Sequence, residues 1–187
     1  MRFRFDVMGE AMGKNSVNTM LRISLFSALI AVSAMISIPF PIPVTLQTFA
    51  IFLAFFTLGG ARALWAIVIY TALGIIGLPV FASFGAGIGY VLGASGGFVI
   101  AFPIAAAAFL VLESIFGLSE KRKIIYACIS LLLIYLIGSL WFAFVYSEGN
   151  GFFAALLVCV LPYIPIDAVK LLLAYTVSKR LKKLVDF

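Results

Sequence analysis

Long apolar runs in this chain are separated by two kinds of connection, and the kinds alternate. Arg2, Arg4, Lys14 and Arg22 stand at the start of the first run, and Arg62 lies between the second and third. Lys121, Arg122 and Lys123 lie between the fourth and fifth, and Lys179, Arg180, Lys182 and Lys183 follow the last. The other connections hold no cation, and Lys170 alone falls inside a run. Cations concentrated in alternate loops mark the cytoplasmic side of a membrane protein. The pattern predicts an all-α polytopic membrane protein: a six-transmembrane-helix bundle with both termini cytoplasmic. Composition agrees, with 65% of the 187 residues hydrophobic and 11% charged, where a soluble domain has about half and a quarter. The net charge of +6 is then an orientation signal, and no nucleic-acid partner follows from it.

The expected organisation is a cytoplasmic extension over 1–18, one membrane domain over 19–183 and a tail over 184–187. Its place is the cell membrane, cytoplasmic or inner, with lipid around it. No cleavable secretory signal is expected, because the first apolar run leads into further spans. Catalysis finds no support. There is no histidine, and Cys128 and Cys159 lie in apolar runs without metal-ligand spacing, which reads as two buried small hydrophobes. No nucleophile–base pair stands out, so neither an enzyme nor a cofactor or metal site is expected. "GEAMGKNS" at 9–16 resembles a phosphate-binding loop but is one residue short, with Asn15 where a hydroxyl would hold magnesium. Gly87 and Gly89 are followed by Leu92, so the dinucleotide fingerprint fails as well.

The first span, 21–38, places Ser24 with Ala28 and Ser27 with Ala31, small residues four apart. Such pairs let helices approach closely in lipid, either to dock another membrane protein or to pack within the bundle. "PFPIP" at 39–43 stops a helix. The second span, Val44 to Leu58, reaches only about 22 Å against a core of roughly 30 Å. It must tilt little or be covered at one end by protein. Thr45, Gln47 and Thr48 at its outer end either line a solute site or cap the helix. The third span is 63–80. The uncharged stretch 81–98 has six glycines, of which Gly85, Gly89, Gly93 and Gly97 fall four apart. A close-packed outer loop is expected there, with the fourth span running from Phe98 to Phe116. Glu113, one turn from that span's end, is expected to reach the headgroups. In the fifth span, 124–146, Trp141 and Tyr146 form an aromatic belt or wall a pocket.

"LPYIPIDAVKLLLAY" at 161–175 sets an acid and a base into apolar sequence. Residues 152–161 are too short to span, and Pro162 and Pro165 interrupt the run. Proline suits a first helical turn, so the last helix is expected from about Pro165 to Arg180 or beyond. Asp167 and Lys170, spaced i, i+3, then share one face in the outer part of the membrane. Each would cost about 2.5 to 3.5 kcal/mol at the bilayer centre, so both must face protein or a cavity. One reading is a self-neutralising pair that pins helices. The other is a site for a ligand with two polar ends: Lys170 opposite a carboxylate, Asp167 accepting from N–H donors, and apolar walls between.

Three segments, "IPVTLQTFAIFLA" at 42–54, "LGIIGLPVFASFGAGIGYVLGASGGFVIAF" at 73–102 and "LPYIPIDAVK" at 161–170, together resemble the BioY family, in order, over residues 20–183. That family comprises the biotin-specific S components of energy-coupling-factor (ECF) transporters. The resemblance implies six helices with biotin held near the outer face, and as partners a transmembrane coupling protein and a pair of ATPases. Biotin is transported substrate, not cofactor. It has a carboxylate tail, a ureido ring with two N–H donors and an apolar sulfur ring. By motif position Asp167 and Lys170 match the family's D-x-x-K pair, and 39–48 and 81–97 match its lid and pocket. The implied substrate-binding residues are Asp167 and Lys170, Thr45 and Gln47, Gly87 and Tyr90, with Trp141 and Tyr163. The implied partner-docking residues are Ser24, Ala28, Ser27 and Ala31, an imperfect form of the alanine-x-x-x-alanine motif. The family's Pro-Thr-Gly-Gly-Tyr is here Ala94-Ser95-Gly96-Gly97-Phe98, one aromatic hydroxyl fewer. The implied function is membrane-embedded biotin binding for uptake, driven through the ATPase partners. An ion-coupled carrier of a small carboxylate, with Asp167 taking a proton, and a non-transporting assembly subunit are the alternatives.

Overall fold

The computed structural model describes residues 16–40, 42–146 and 151–184; most of the N-terminal extension, with its phosphate-loop-like stretch up to residue 15, and residues 185–187 of the tail lie outside them. Helix α1, Ser16–Met35, stops short of the prolines. The chain then turns through a small antiparallel hairpin, in which β1 (Ser37–Ile38) pairs with β2 (Val44–Thr45), Ser37 opposite Thr45. The expected second span therefore loses its first residues to a strand, because the prolines favour extended backbone on either side.

Helix α2, Gln47–Leu58, has 12 residues, about 18 Å of rise. Its residues from Ala50 to Leu58 are all buried. It packs against α1, against α3 (Gly60–Ile75) and against the last helix, α8 (Ile164–Leu184). A helix too short for the bilayer is thus sheathed in protein, and its ends meet protein groups rather than acyl chains. At its C-terminal end Gly59 turns the chain with φ +80°. The next N–H, that of Gly60, donates to the Glu113 carboxylate at 2.5 Å. Glu113, expected among headgroups, caps α3 instead, where a carboxylate also meets the positive end of the helix dipole.

α3 ends at Ile75, before the expected Val80. The glycine-rich stretch breaks into a 3-10 turn at Ala82–Phe84, a short helix α4 at Gly87–Val91 and the start of α5, Gly96–Phe116. Its glycines therefore do not share one helix face. Gly97 lies in the first turn of α5, where an added Cβ would sit 2.1 Å from the Cβ of Trp141. On Gly138 it would sit 2.4 Å from the Phe98 ring. These two glycines let α5 and α6 (Glu120–Trp141) lie close together, the most extensive helix pairing in the molecule. A wide turn over Phe142–Tyr146 follows, then α7 at Gly151–Cys159, which corresponds to the short outer helix expected over 152–161.

Among the described residues, three helical stretches are long and apolar enough to cross a membrane by themselves: Val17–Met35, Gly96–Phe116 and Glu120–Val145. The aromatic core ties the others to them. Phe55 of α2 stacks on Phe109 of α5 at 4.5 Å, and Tyr70 of α3 meets Phe81 edge-on at 5.7 Å. Two expectations are corrected. Cys159 is buried, but Cys128 is exposed on α6, near the exposed Ile125, Ile129 and Leu132. A thiol is apolar enough for that lipid-facing surface. On α1, Ser24 and Ala28 face outward, Ala31 is half-buried and Ser27 is buried in the core. Ser27 therefore does not share a surface with Ser24 and Ala28, because a helix repeat of 3.6 residues turns it toward the bundle.

Gly97→Val should lower the thermal unfolding midpoint of the purified protein, with a loss of about 1–3 kcal/mol from overpacking. An unchanged midpoint would mean that the α5–α6 contact yields to a larger side chain.

Candidate functional site

The first turns of α8 bring Asp167 and Lys170 inward, 4% and 7% exposed. Lys170 Nζ lies 2.9 Å from Asp167 Oδ1. Thr48, in the first turn of α2, donates its hydroxyl to the same Oδ1 at 2.8 Å and accepts from Lys170 at 3.1 Å. Tyr135, in the C-terminal half of α6, donates to Asp167 Oδ2 at 2.7 Å. Three elements thus meet on one carboxylate. α8 enters at this level because Pro165 suits the first turn, and the Asp167 N–H reaches back to the Tyr163 carbonyl at 2.8 Å.

Among the described residues, protein groups do not use the full hydrogen-bonding capacity of the pair. A carboxylate offers about four lone-pair sites and an ammonium three N–H donors. Asp167 accepts three hydrogen bonds, from Thr48, Tyr135 and Lys170. Lys170 donates two. One acceptor site on the acid and one donor on the base remain for something else.

Beside the pair lies a cavity of about 60 Å³. Its polar wall holds Asp167, Lys170, Thr48, Gln47 and Thr45, with Tyr90, Tyr135 and Tyr163 around them. Its apolar wall includes Ile42, Val44, Phe98, Phe102 and Ile134. Gln47 donates its side-chain amide to the Tyr70 hydroxyl at 2.8 Å, which orients it. The Tyr163 hydroxyl donates to the Ile42 carbonyl and so ties the entry of α8 to the hairpin. Ser37 and Ser83 hydroxyls lie 3.1 Å apart, joining the hairpin to the glycine-rich stretch. Hairpin and stretch close over the same cavity.

Six of the eight residues named from the sequence, Thr45, Gln47, Tyr90, Tyr163, Asp167 and Lys170, line this cavity. Gly87 and Trp141 do not. Gly87 begins α4 with φ +78°, and the Trp141 indole donates to the Gly93 carbonyl at 3.0 Å, holding the glycine-rich stretch against α6.

The chain matches the BioY family over residues 8–187. It belongs to that family. The probable biotin transporter BioY of Pyrococcus horikoshii is 42% identical over 162 residues, covering 86% of this chain and 93% of that protein. The biotin transporter BioY of Thermotoga maritima is 34% identical over 172 residues, covering 88% and 96%. The crystal structure of the S-component for biotin from an ECF-type ABC transporter superposes with a TM-score of 0.80 at 25% identity, covering 91% of this chain and 94% of that one.

For this BioY-family member, sequence reasoning missed Tyr135. It stands in the apolar run "LLLIYLIG" with no motif around it, and only the tertiary fold brings its hydroxyl to Asp167, 32 positions away, as a donor. The one available signal was a polar tip in an otherwise apolar span.

Removing one member of a buried pair leaves an uncompensated charge, at a cost of about 3–5 kcal/mol. Asp167→Ala should therefore lower the unfolding midpoint in detergent markedly, and Asp167→Leu combined with Lys170→Met should recover much of the loss. A double variant no better than the single one would refute the idea that the stranded ammonium is the cause.

Proposed function

We propose that this chain captures biotin near the outer face of the cell membrane and delivers it inward together with a transmembrane coupling protein and a pair of ATPases. In this reading α1, α2, α3, α5, α6 and α8 are the six membrane-level helices. Both termini are cytoplasmic, and the extension to residue 18 and the short C-terminal tail stand outside the membrane domain. The hairpin, the glycine-rich stretch and α7 cover the site on the outer side. Ser24 and Ala28, with Ala31 at the edge, present the small-residue surface on α1 to the coupling protein.

Family membership supports the reading, as do the biotin transporters at 42% and 34% identity and the biotin S-component of the same fold. The observation that carries it at residue level is the unspent bonding capacity of the Asp167–Lys170 pair beside an apolar wall. The free donor on Lys170 takes the biotin carboxylate. The free acceptor on Asp167 takes a ureido N–H, and the amide oxygen of Gln47 is an acceptor for the second. Ile42, Val44, Phe98 and Phe102 cover the sulfur ring. Tyr135 and Thr48 hold the Asp167 carboxylate still, so less ordering is left for the ligand to impose.

Calorimetric titration of the purified protein with biotin tests this. Lys170→Met keeps the aliphatic volume but strands the Asp167 carboxylate, so it too should lower the unfolding midpoint; Thr48 and Tyr135 still donate to that carboxylate, and the fold of the variant is checked by its unfolding transition before titration. Its biotin affinity should fall by roughly thirtyfold or more, the equivalent of about 2 kcal/mol for a lost charge-assisted contact. Biotin amidated on its tail should bind the native protein worse by a similar factor. Equal affinities in both comparisons would place the tail away from Lys170. Tyr135→Phe should weaken binding roughly tenfold, the usual cost of one buried hydrogen bond, and an unchanged affinity would make that hydroxyl a packing feature only.

A further inference from the structure

α2 and α8 start level at the Asp167 end, but they do not finish level. Phe56 near the end of α2 meets Tyr175 edge-on at 5.6 Å, while α8 continues to Leu184. The overshooting turns carry Lys179, Arg180, Lys182 and Lys183, which with Glu120 line a cleft of about 420 Å³. Lys123, one turn into α6, is only 7% exposed and pairs with Glu120 at 2.7 Å. The amine of Lys182 lies against Lys123. Lys179 sits over the Tyr175 ring at 4.4 Å. Among the described residues two carboxylates face these cations, Glu120 on Lys123 and Glu113, which also holds the Gly60 N–H. The residues that line the cleft are exposed, and like charges crowded beside the buried Lys123 disfavour one another unless an anion comes between them.

We infer that this cleft binds the phosphate diester of an anionic phospholipid, with Lys182 and Arg180 as donors and Lys123 behind them. Position favours a lipid over a free anion. Glu120 is the first residue of a stretch long enough to cross the membrane, so the cleft opens at headgroup depth. In the turns leading away from it, Ile125 on α6 and Leu172 and Leu173 on α8 are exposed apolar residues. Basic pockets between transmembrane helices are suited to such headgroups. The inference is independent of the solute bound at the opposite end.

The test is native mass spectrometry of the full chain in neutral detergent, titrated with phosphatidylglycerol, phosphatidylcholine, inorganic phosphate and a polyglutamate peptide. One phosphatidylglycerol per chain should be retained at concentrations where phosphatidylcholine is not. Lys182→Gln with Arg180→Gln should lose roughly thirtyfold in affinity, since each cation near a membrane surface contributes about 1 kcal/mol and 1.4 kcal/mol is tenfold. Lys182→Arg keeps the charge and should keep the lipid, which separates lost binding from lost structure. If the double variant does not fold, Arg180→Gln alone should lose about fivefold on the same scale. Equal retention of both lipids, or unchanged affinity in the glutamine variants, overturns the proposal. Displacement of phosphatidylglycerol by inorganic phosphate or by polyglutamate at equal concentration also overturns it, making the cleft a free-phosphate site or a seat for an acidic protein segment.

Discussion

An ammonium and a carboxylate 2.9 Å apart, both almost wholly enclosed, set the terms for the half of the molecule that carries the hairpin. In hydrocarbon neither charge is tolerable alone, and even a paired charge needs its remaining valences filled. Much of the local architecture follows from that need. The prolines at 162 and 165 place Asp167 in the first turn of α8, near the positive end of its dipole. The hairpin shortens α2 so that Thr48 arrives at the same depth, and α6 contributes Tyr135. Each donor relieves part of the burial cost, and none completes the coordination.

The shortness of α2 has consequences at both ends. At its hairpin end it leaves room for a cavity roofed by the hairpin and the glycine-rich stretch. At its other end it stops at Gly59, so the last turns of α8 extend past it with a row of cations. A full-length helix in that position would fill both spaces. The burial of α2 is what makes the short length affordable: a backbone helix satisfies its own hydrogen bonds, and its ends meet the Thr45 hydroxyl and the Gly59–Glu113 turn instead of lipid.

How much of this was readable beforehand depended on the kind of signal. The last helix, the short α7 and the level of the Asp167–Lys170 pair came from proline chemistry and from the cost of charge in lipid, both local. Span edges at Val44 and Val80 came out wrong because apolar content alone cannot tell a strand or turn from a helix end. Ser27 looked equivalent to Ser24 at a spacing of three, yet one faces the core and the other the surface, and only the neighbours of α1 decide which. Glu113 read as a residue bound for the headgroups, because its partner, the Gly60 N–H, lies 53 positions away in sequence.

By itself, the sequence determined the medium, the helical class, the breaks at the proline clusters and the presence of an acid and a base on one face, because all of these follow from transfer energies and backbone sterics over a few residues. Tertiary structure alone decided that Tyr135 and Thr48 would converge on Asp167 and that a cavity would lie beside them. It also decided that Trp141 would anchor the glycine-rich stretch and that Lys123 and Lys182 would meet. These are contacts between separate helices, and their distances depend on how the whole bundle packs, which no local pattern of residue types encodes.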